Sequence, residues 1–337
     1  TAPPHSHESE TVKQLTTHLR GGAPIACGLA LALALTACGD TSDTADGTDA
    51  DGATVQVETD YGTVEVPENP ERIVALEFGN EILVEAGIDP VGVIEPNPGL
   101  HTPEELAVLE EATVVQASSL ELNIEAIASA EPDLIIGGVR EQSHEDYEEH
   151  FATLSEIAPT VLFDFEGAGH ELRDMSLRLA EVVGDGERAQ EERERYEERV
   201  TEISQTHADQ LEDHTFAVVF GVDNEFAVIN TNAWGAFILD ELGAEAASVT
   251  EEAGTDFAAW QSYENIDKLQ DADVVFYETD VAHEPDPFTA DLLQQDLWQP
   301  LTAVENDQVH PLRYSAARTW AQGNDVLDQI EQVLETL

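Results

Sequence analysis

Short apolar runs alternate with amphipathic stretches along most of the chain after residue 54. Ile73-Val74-Ala75-Leu76 has the length and content of a buried strand, Asn80 to Ala86 is amphipathic, and Pro90-Val91-Gly92-Val93-Ile94 is apolar again. The alternation continues. Ile124 to Ala130 reads as helix, Asp133-Leu134-Ile135-Ile136 as strand, Tyr147 to Ile157 as helix and Thr160-Val161-Leu162-Phe163 as strand. Continuous apolar runs belong to strands covered on both faces, so their alternation with helices predicts βα units around a parallel sheet.

From Gly186 to Leu211 the pattern changes to a proline-free, highly charged stretch. Glu191 and Glu192 stand four and three residues before Arg195, a helix-supporting arrangement. The few apolar positions, Ala189, Tyr196, Val200 and Ile203, fall on one narrow face. A long helix with so much polar surface suits a connector between two lobes, and under three heptads it is too short for a coiled-coil dimer. Strand-like runs then resume at Phe216 to Phe220, Phe226 to Ile229 and Asp273 to Tyr277, with helices at Gly235 to Leu242 and Val326 to Leu334. The halves also share a weak repeat. Glu125-Ala126-Ile127 precedes the strand at Asp133, as Glu264-Asn265-Ile266 precedes the strand at Asp273. The expected organisation is an α/β lobe over 54–185, the connecting helix over 186–212 and a second α/β lobe over 213–337.

The first fifty residues follow another logic. Ala23 to Ala37 is uncharged and apolar behind Lys13 and Arg20, shorter than the ~20 residues of a membrane span, as in a signal-peptide core. It ends at Leu35-Thr36-Ala37-Cys38, which resembles the lipobox of bacterial lipoproteins. Residues 1–37 are therefore expected to be a signal peptide, and Cys38 the lipidated first residue of the mature protein. Residues 38–53, rich in Gly, Asp, Thr, Ser and Ala, read as a disordered acidic tether, since they hold too little apolar surface to offset the entropy of ordering.

Charge and residue inventory remove whole classes of function. Formal charge is −58, from 71 acidic against 13 basic residues, so nucleic acid and anionic lipid surfaces are poor partners. The acids are spread along the chain, and lysine occurs only at Lys13 and Lys268, which fits a surface adapted to high salt. The two cysteines, Cys27 and Cys38, both precede the folded body, so thiol catalysis and cysteine-ligated metals are excluded there. No G-x-S-x-G, H-E-x-x-H, Walker A or G-x-G-x-x-G motif occurs in the required context, and the histidines are dispersed. No catalytic residues and no protein-built metal site are expected.

Several stretches together carry a family resemblance. YGTVEVPENPERIVAL, AGIDPVGV, NIEAIASAEPDLIIGG and LSEIAPTVLFD in the first half, with WGAFILDELGAEAA, SYENIDKLQDADVVFYE and LWQPLTAVENDQVHPL in the second, resemble the solute-binding lipoproteins of siderophore, haem and cobalamin ABC importers. The resemblance spans nearly all of 54–337. It implies two Rossmann-like lobes with parallel-rich central sheets, joined by one long helix, with the ligand in the cleft between them. It also implies a monomer on the extracytoplasmic face of the cell membrane, anchored through Cys38, that hands a ferric siderophore or related chelate to an ABC permease with its ATPase. No resident cofactor is implied, because iron enters only as a chelate. Haem or cobalamin is the alternative cargo; a free-metal binder and a siderophore esterase are more remote.

Ligands in such folds sit where loops leave the carboxyl ends of strands. That rule selects Glu77 and Phe78, then Arg140, then Thr231, Asn232 and Trp234, then Tyr277 and Glu278, then Arg313 and Tyr314, with Arg318 and Trp320 nearby. Guanidinium forks and aromatic walls suit an oxygen-rich, anionic chelate. By the resemblance, Arg140 matches an arginine that family members use on anionic chelates. Catecholate binders commonly add an arginine where this chain has Asn232-Ala233-Trp234, which tilts the expectation towards hydroxamate or mixed siderophores. The resemblance also places Glu125 and Glu264 at the two permease-docking positions.

Overall fold

A computed structural model describes residues 53–118, 121–165 and 169–337, with only the backbone of residues 141 and 234. Cys38, the leader and nearly all of the tether lie outside the described residues. The chain enters through an antiparallel hairpin, β1 (Thr54–Thr59) and β2 (Gly62–Pro67). There follow β3 (Ile73–Ala75), α1 (Gly79–Glu85), β4 (Gly92–Ile94), α2 (Pro103–Leu109), β5 (Thr113–Gln116), α3 (Ile124–Ser129), β6 (Leu134–Arg140), α4 (His144–Ile157) and β7 (Thr160–Phe165). Strands β3 to β7 form one sheet in the order β5-β4-β3-β6-β7, and every pair in it is parallel. Its central strands are the apolar runs of the sequence. Ile73, Val74, Leu134, Ile135 and Ile136 are all fully buried, as expected of strands with helices on both faces.

Next come α5 (Gly169–Val182), α6 (Gly186–Thr206) and α7 (Ala208–Asp213). The second sheet is built from β8 (Thr215–Val222), β9 (Glu225–Ile229), β10 (Glu245–Ala246), β11 (Ala258–Ser262), β12 (Val274–Thr279) and β13 (Val309–Arg313), with α8 (Trp234–Glu241) between β9 and β10. Helices α9 (Pro287–Leu293) and α10 (Thr302–Glu305) precede β13, and α11 (Trp320–Leu334) closes the chain. Its strand order is β11-β9-β8-β12-β13, with β10 on the start of β8. Pairing is parallel among β10, β8, β12 and β13 but antiparallel for β9 and β11. The sheet is parallel-rich, as expected, and its antiparallel edge has a local reason. Only Asp223 and Asn224 separate the paired residues Val222 and Glu225, and Asn224 takes the left-handed conformation (φ 62°) that such a tight turn requires.

Helix α6, 21 residues and so about 31 Å long, packs on α5 on one side and α11 on the other. Ala189, Tyr196 and Ile203 are buried and Val200 is half-buried, the narrow face read from the sequence. Its other faces are not simply wet. Arg188 pairs with Glu85 of α1 at 3.0 Å, Arg193 lies 3.4 Å from Asp174 of α5, and Arg199 holds both Asp328 and Glu331 of α11. One continuous apolar core runs from Ile73, Ile136 and Val161 of the first sheet through Tyr196 and Ile203 to Phe216, Val218 and Phe276 of the second. The two halves of the repeat differ in detail: Glu125 opens α3, whereas Glu264 lies in a 3₁₀ segment, Tyr263–Leu269. Among the described residues, no helix is long and apolar enough to cross a membrane.

Candidate ligand-binding site

A cavity of about 690 Å³ opens where the two sheets face each other. It is walled by the residues at the carboxyl ends of β3, β6, β7 and β13 and by the loops flanking α8 and β11, within the size range of small-molecule sites. Phe78, Phe165 and Phe257 supply aromatic surface, and Arg140, Arg173 and Arg318 supply charge.

Phe78 organises the first wall. It adopts φ 64°, uncommon for a bulky side chain, at the start of α1. This conformation brings its ring against the backbone of Gly138, where a Cβ would stand 3.0 Å from Phe78 Cδ2 and 2.4 Å from Met175 Sδ. The glycine in β6 thus makes room for the ring. Phe165 meets Phe78 edge-on at 4.9 Å. The guanidinium carbons of Arg140 and Arg318 lie 4.9 and 4.8 Å from the Phe78 centroid, so one ring supports both cations.

Each arginine is held by a carboxylate behind the wall. Arg140 Nε donates to Glu77 Oε1. Arg318 Nη1 donates to Glu81 Oε1 at 2.7 Å. Arg173, only 1% exposed, donates from Nη2 to Glu241 Oε2 at 2.8 Å and from Nη1 to the Tyr196 hydroxyl at 2.9 Å. Its guanidinium also lies 4.5, 5.0 and 5.4 Å from the ring centroids of Tyr196, Trp320 and Phe237. Its Nε is shielded from solvent and has no acceptor among the described residues. Two of these pairs, Arg173–Glu241 and Arg318–Glu81, join elements of opposite halves.

Behind Arg318 lies a buried ionisable chain. Pro at the first turn and a Thr102–Glu105 capping box fix the start of α2, and His101 is thereby tucked beside Glu81, 4.0 Å away and 2% exposed. Burial acts to raise the Glu81 carboxyl, but the Arg318 guanidinium, His101 and hydrogen bonds outweigh it and hold the group below its usual range. Burial lowers the His101 imidazole, although Glu81 and Glu105 pull the other way. His101 therefore resists a proton in the folded protein that the unfolded chain accepts near the usual value of about 6.5. Stability is expected to fall as pH drops below that value, by at most about 1.4 kcal/mol per pH unit from this group. Urea unfolding at a series of pH values checks this. His101→Gln should flatten the slope between about pH 6.5 and 5; an unchanged slope would rule His101 out as its source.

The cavity gathers some of the sequence-selected residues and leaves others out. Phe78, Arg140, Asn232 and Arg318 line it, and Glu77 anchors Arg140. Arg313 does not line it: Asp325 of α11 engages its guanidinium with two hydrogen bonds, and Gln329 accepts from its backbone N–H at 3.0 Å. Tyr314, at φ 54°, packs against the shared core. Trp320 is 6% exposed and stands edge-on to Tyr196 at 5.3 Å, beneath Arg173 and outside the wall. Tyr277 packs on the second sheet's own cluster, and Glu278 accepts from the Ser315 hydroxyl at 2.7 Å. The Trp234 side chain lies outside the described residues. Glu125 and Glu264 are exposed, each in the first turn of its helical segment. Among the described residues, no group of three or more His, Cys, Asp or Glu is placed to hold a metal ion.

Sequence reasoning missed Arg173, Phe165, Phe257, Thr255 and Asp256. For Arg173 a signal existed. It shares a helical stripe with Ser176, Leu177 and Ala180, and an arginine on an apolar face must be paired. Phe165 ends β7, where the carboxyl-end rule reaches it, whereas Thr255, Asp256 and Phe257 depend on a loop path that carries no periodicity.

Known proteins with this architecture bear on the site. Residues 80–314 match the model of the periplasmic binding protein family. A solved structure, the siderophore periplasmic binding protein from the fuscachelin gene cluster of Thermobifida fusca, is 63% identical, covers 81% of this chain and 99% of its own, and superposes with a TM-score of 0.79. The probable siderophore-binding lipoprotein YfiY of Bacillus subtilis is 29% identical over 312 residues, 89% of this chain and 93% of that protein. Staphylococcus aureus SirA, solved with staphyloferrin B, shares the fold at 22% identity and a TM-score of 0.64 over 84% of this chain and 99% of that one. The family match extends over more than half of the chain and includes most strands of both sheets: the chain belongs to the periplasmic binding protein family.

Proposed function

We propose that this protein is the extracytoplasmic binding component of an ABC importer and captures a ferric siderophore of hydroxamate or mixed-donor type. The observation that carries the reading is the cavity of about 690 Å³ with three arginines around an aromatic platform, in a chain 63% identical to a siderophore-binding protein. Guanidinium groups stacked on Phe78 and aimed at one space suit the oxygen donors around a chelated metal, and the phenylalanines suit its organic arms. Arg173 supplies a guanidinium from α5 that the sequence before α8 lacks, which favours mixed-donor over purely hydroxamate ligands. Iron is cargo, bound as a chelate, and no catalytic step is assigned to the protein.

In this reading Cys38 carries the lipid anchor, and the monomer docks on the permease, driven by its ATPase, through Glu125 and Glu264. The binding claim is tested by intrinsic tryptophan fluorescence of residues 54–337 in high salt, titrated with ferric hydroxamates, catecholates and citrate, haem, cobalamin and free ions. Trp320, whose ring lies 5.0 Å from the Arg173 guanidinium, is the expected reporter. Saturable quenching by a ferric siderophore is expected, weakened at least about tenfold in Arg140→Ala, or roughly 1.4 kcal/mol. Silence across the panel from a folded protein would sink the reading, and quenching by haem or cobalamin alone would move the cargo.

A further inference from the structure

The charges of the cavity compensate one another within the protein. Arg140, Arg173 and Arg318 are each already paired, with Glu77, Glu241 and Glu81 respectively. Two more carboxylates, Glu171 and Asp256, belong to the wall itself. The described lining with its immediate partners thus carries no net positive charge, although it presents guanidinium donors to the centre. A second cavity of about 640 Å³ adjoins the first and shares Phe165 and Glu171 with it. Its walls add Glu145, Asp164 and Asp174 together with His144, His170 and Arg178; His144 lies 3.3 Å from Asp164, Arg193 3.4 Å from Asp174 and Arg178 3.6 Å from Asp60. Oδ1 of Asp164 is shielded from water and accepts no hydrogen bond. Even with these partners the described walls of the annex hold more carboxylates than arginines, so a cationic group meets complementary potential there.

We propose that the two cavities form one site for a ferric chelate that bears cationic groups on its arms. The chelate's metal-binding oxygens face the arginines, and its cationic arm lies in the acidic annex. A multiply anionic chelate would meet guanidiniums that are already paired, a carboxylate-lined wall and a protein of charge −58. A chelate that carries its own positive charges meets complementary potential at both ends. This inference rests on the chelate-binding reading above and adds the charge of the ligand to it.

The test uses matched pairs that differ only in charge. One is a ferric trihydroxamate with an ammonium tail against the same chelate succinylated to a carboxylate. The other is a ferric tris-catecholamide, triply anionic with neutral arms, against its analogue with an ammonium on each arm. In about 0.1 M salt the ammonium-bearing member of whichever pair binds is expected to be favoured at least about tenfold, and near 2 M salt the preference should shrink to about twofold. Glu171→Gln with Asp256→Asn should reduce the low-salt preference at least about threefold. That preference is a ratio within one protein sample, so a partly unfolded variant does not alter it. Equal or tighter binding of the anionic members, or a preference untouched by the double substitution, overturns the inference and leaves chelate capture standing. Binding of no member of either pair overturns both.

Discussion

Arg173→Met is expected to cost the folded state about 3–5 kcal/mol, the range for removing one partner of a buried ion pair. Arg173 is 1% exposed and satisfies Glu241 and the Tyr196 hydroxyl, which itself donates to Glu241 at 2.6 Å. Without the guanidinium, the Glu241 carboxylate keeps the Tyr196 hydroxyl and loses its one charged partner among the described residues, and the aromatic box of Tyr196, Phe237 and Trp320 loses the cation at its centre. Glu241 is 28% exposed, so water relieves part of the penalty and the lower end of the range is favoured. Urea unfolding in constant high salt reads the loss, and Arg173→Met with Glu241→Gln should recover at least about 1 kcal/mol of it. A single-variant loss below about 1 kcal/mol would mean that the pair contributes little beyond a surface bridge.

Gly221→Val should destabilise by about 3 kcal/mol or more, because its clash is with backbone. A Cβ at Gly221 would stand 2.2 Å from the Phe288 carbonyl oxygen and 2.5 Å from the Thr289 nitrogen. Helix α9 cannot step aside cheaply. Asp286 caps it, Pro287 opens it, Thr289 and Leu292 are fully buried, and Thr289 Oγ1 accepts from the Gly221 N–H at 2.9 Å. The midpoint of thermal or urea unfolding measures the effect, with Gly221→Ala expected to lie between wild type and valine. Chelate affinity of the fraction that remains folded should change by less than about twofold, since neither Gly221 nor α9 lines the cavity. A valine variant as stable as wild type would show that α9 shifts freely on its strand.

The legibility of this molecule follows from where each feature takes its energy. Ile73 to Ala75 and Leu134 to Ile136 are strands because runs of apolar side chains must be covered on both faces, and such a run is visible in the chain itself. The face of α6 made by Ala189, Tyr196, Val200 and Ile203 was legible for the same reason: helical spacing is local. The site was partly legible. Phe78, Arg140, Asn232 and Arg318 follow strands, and the carboxyl-end rule reaches them. The same rule also selected Arg313, whose guanidinium is claimed by Asp325, twelve residues away on another element. No spacing rule distinguishes an arginine left facing a cavity from one captured within its own half.

Local pattern by itself determined the α/β alternation, the long helix with one apolar seam and the acidic surface, because hydrophobic period and composition are properties of neighbouring residues, while the family was legible only through the resemblance of whole stretches. The tertiary structure decided the antiparallel edge of the second sheet, the burial of Trp320, the recruitment of Arg173 and the pairing of every cavity arginine with a carboxylate. Those outcomes depend on which groups meet after the chain has closed. Glu81 and Arg318 stand 237 residues apart, and only the packing of the two halves brings their charges to 2.7 Å.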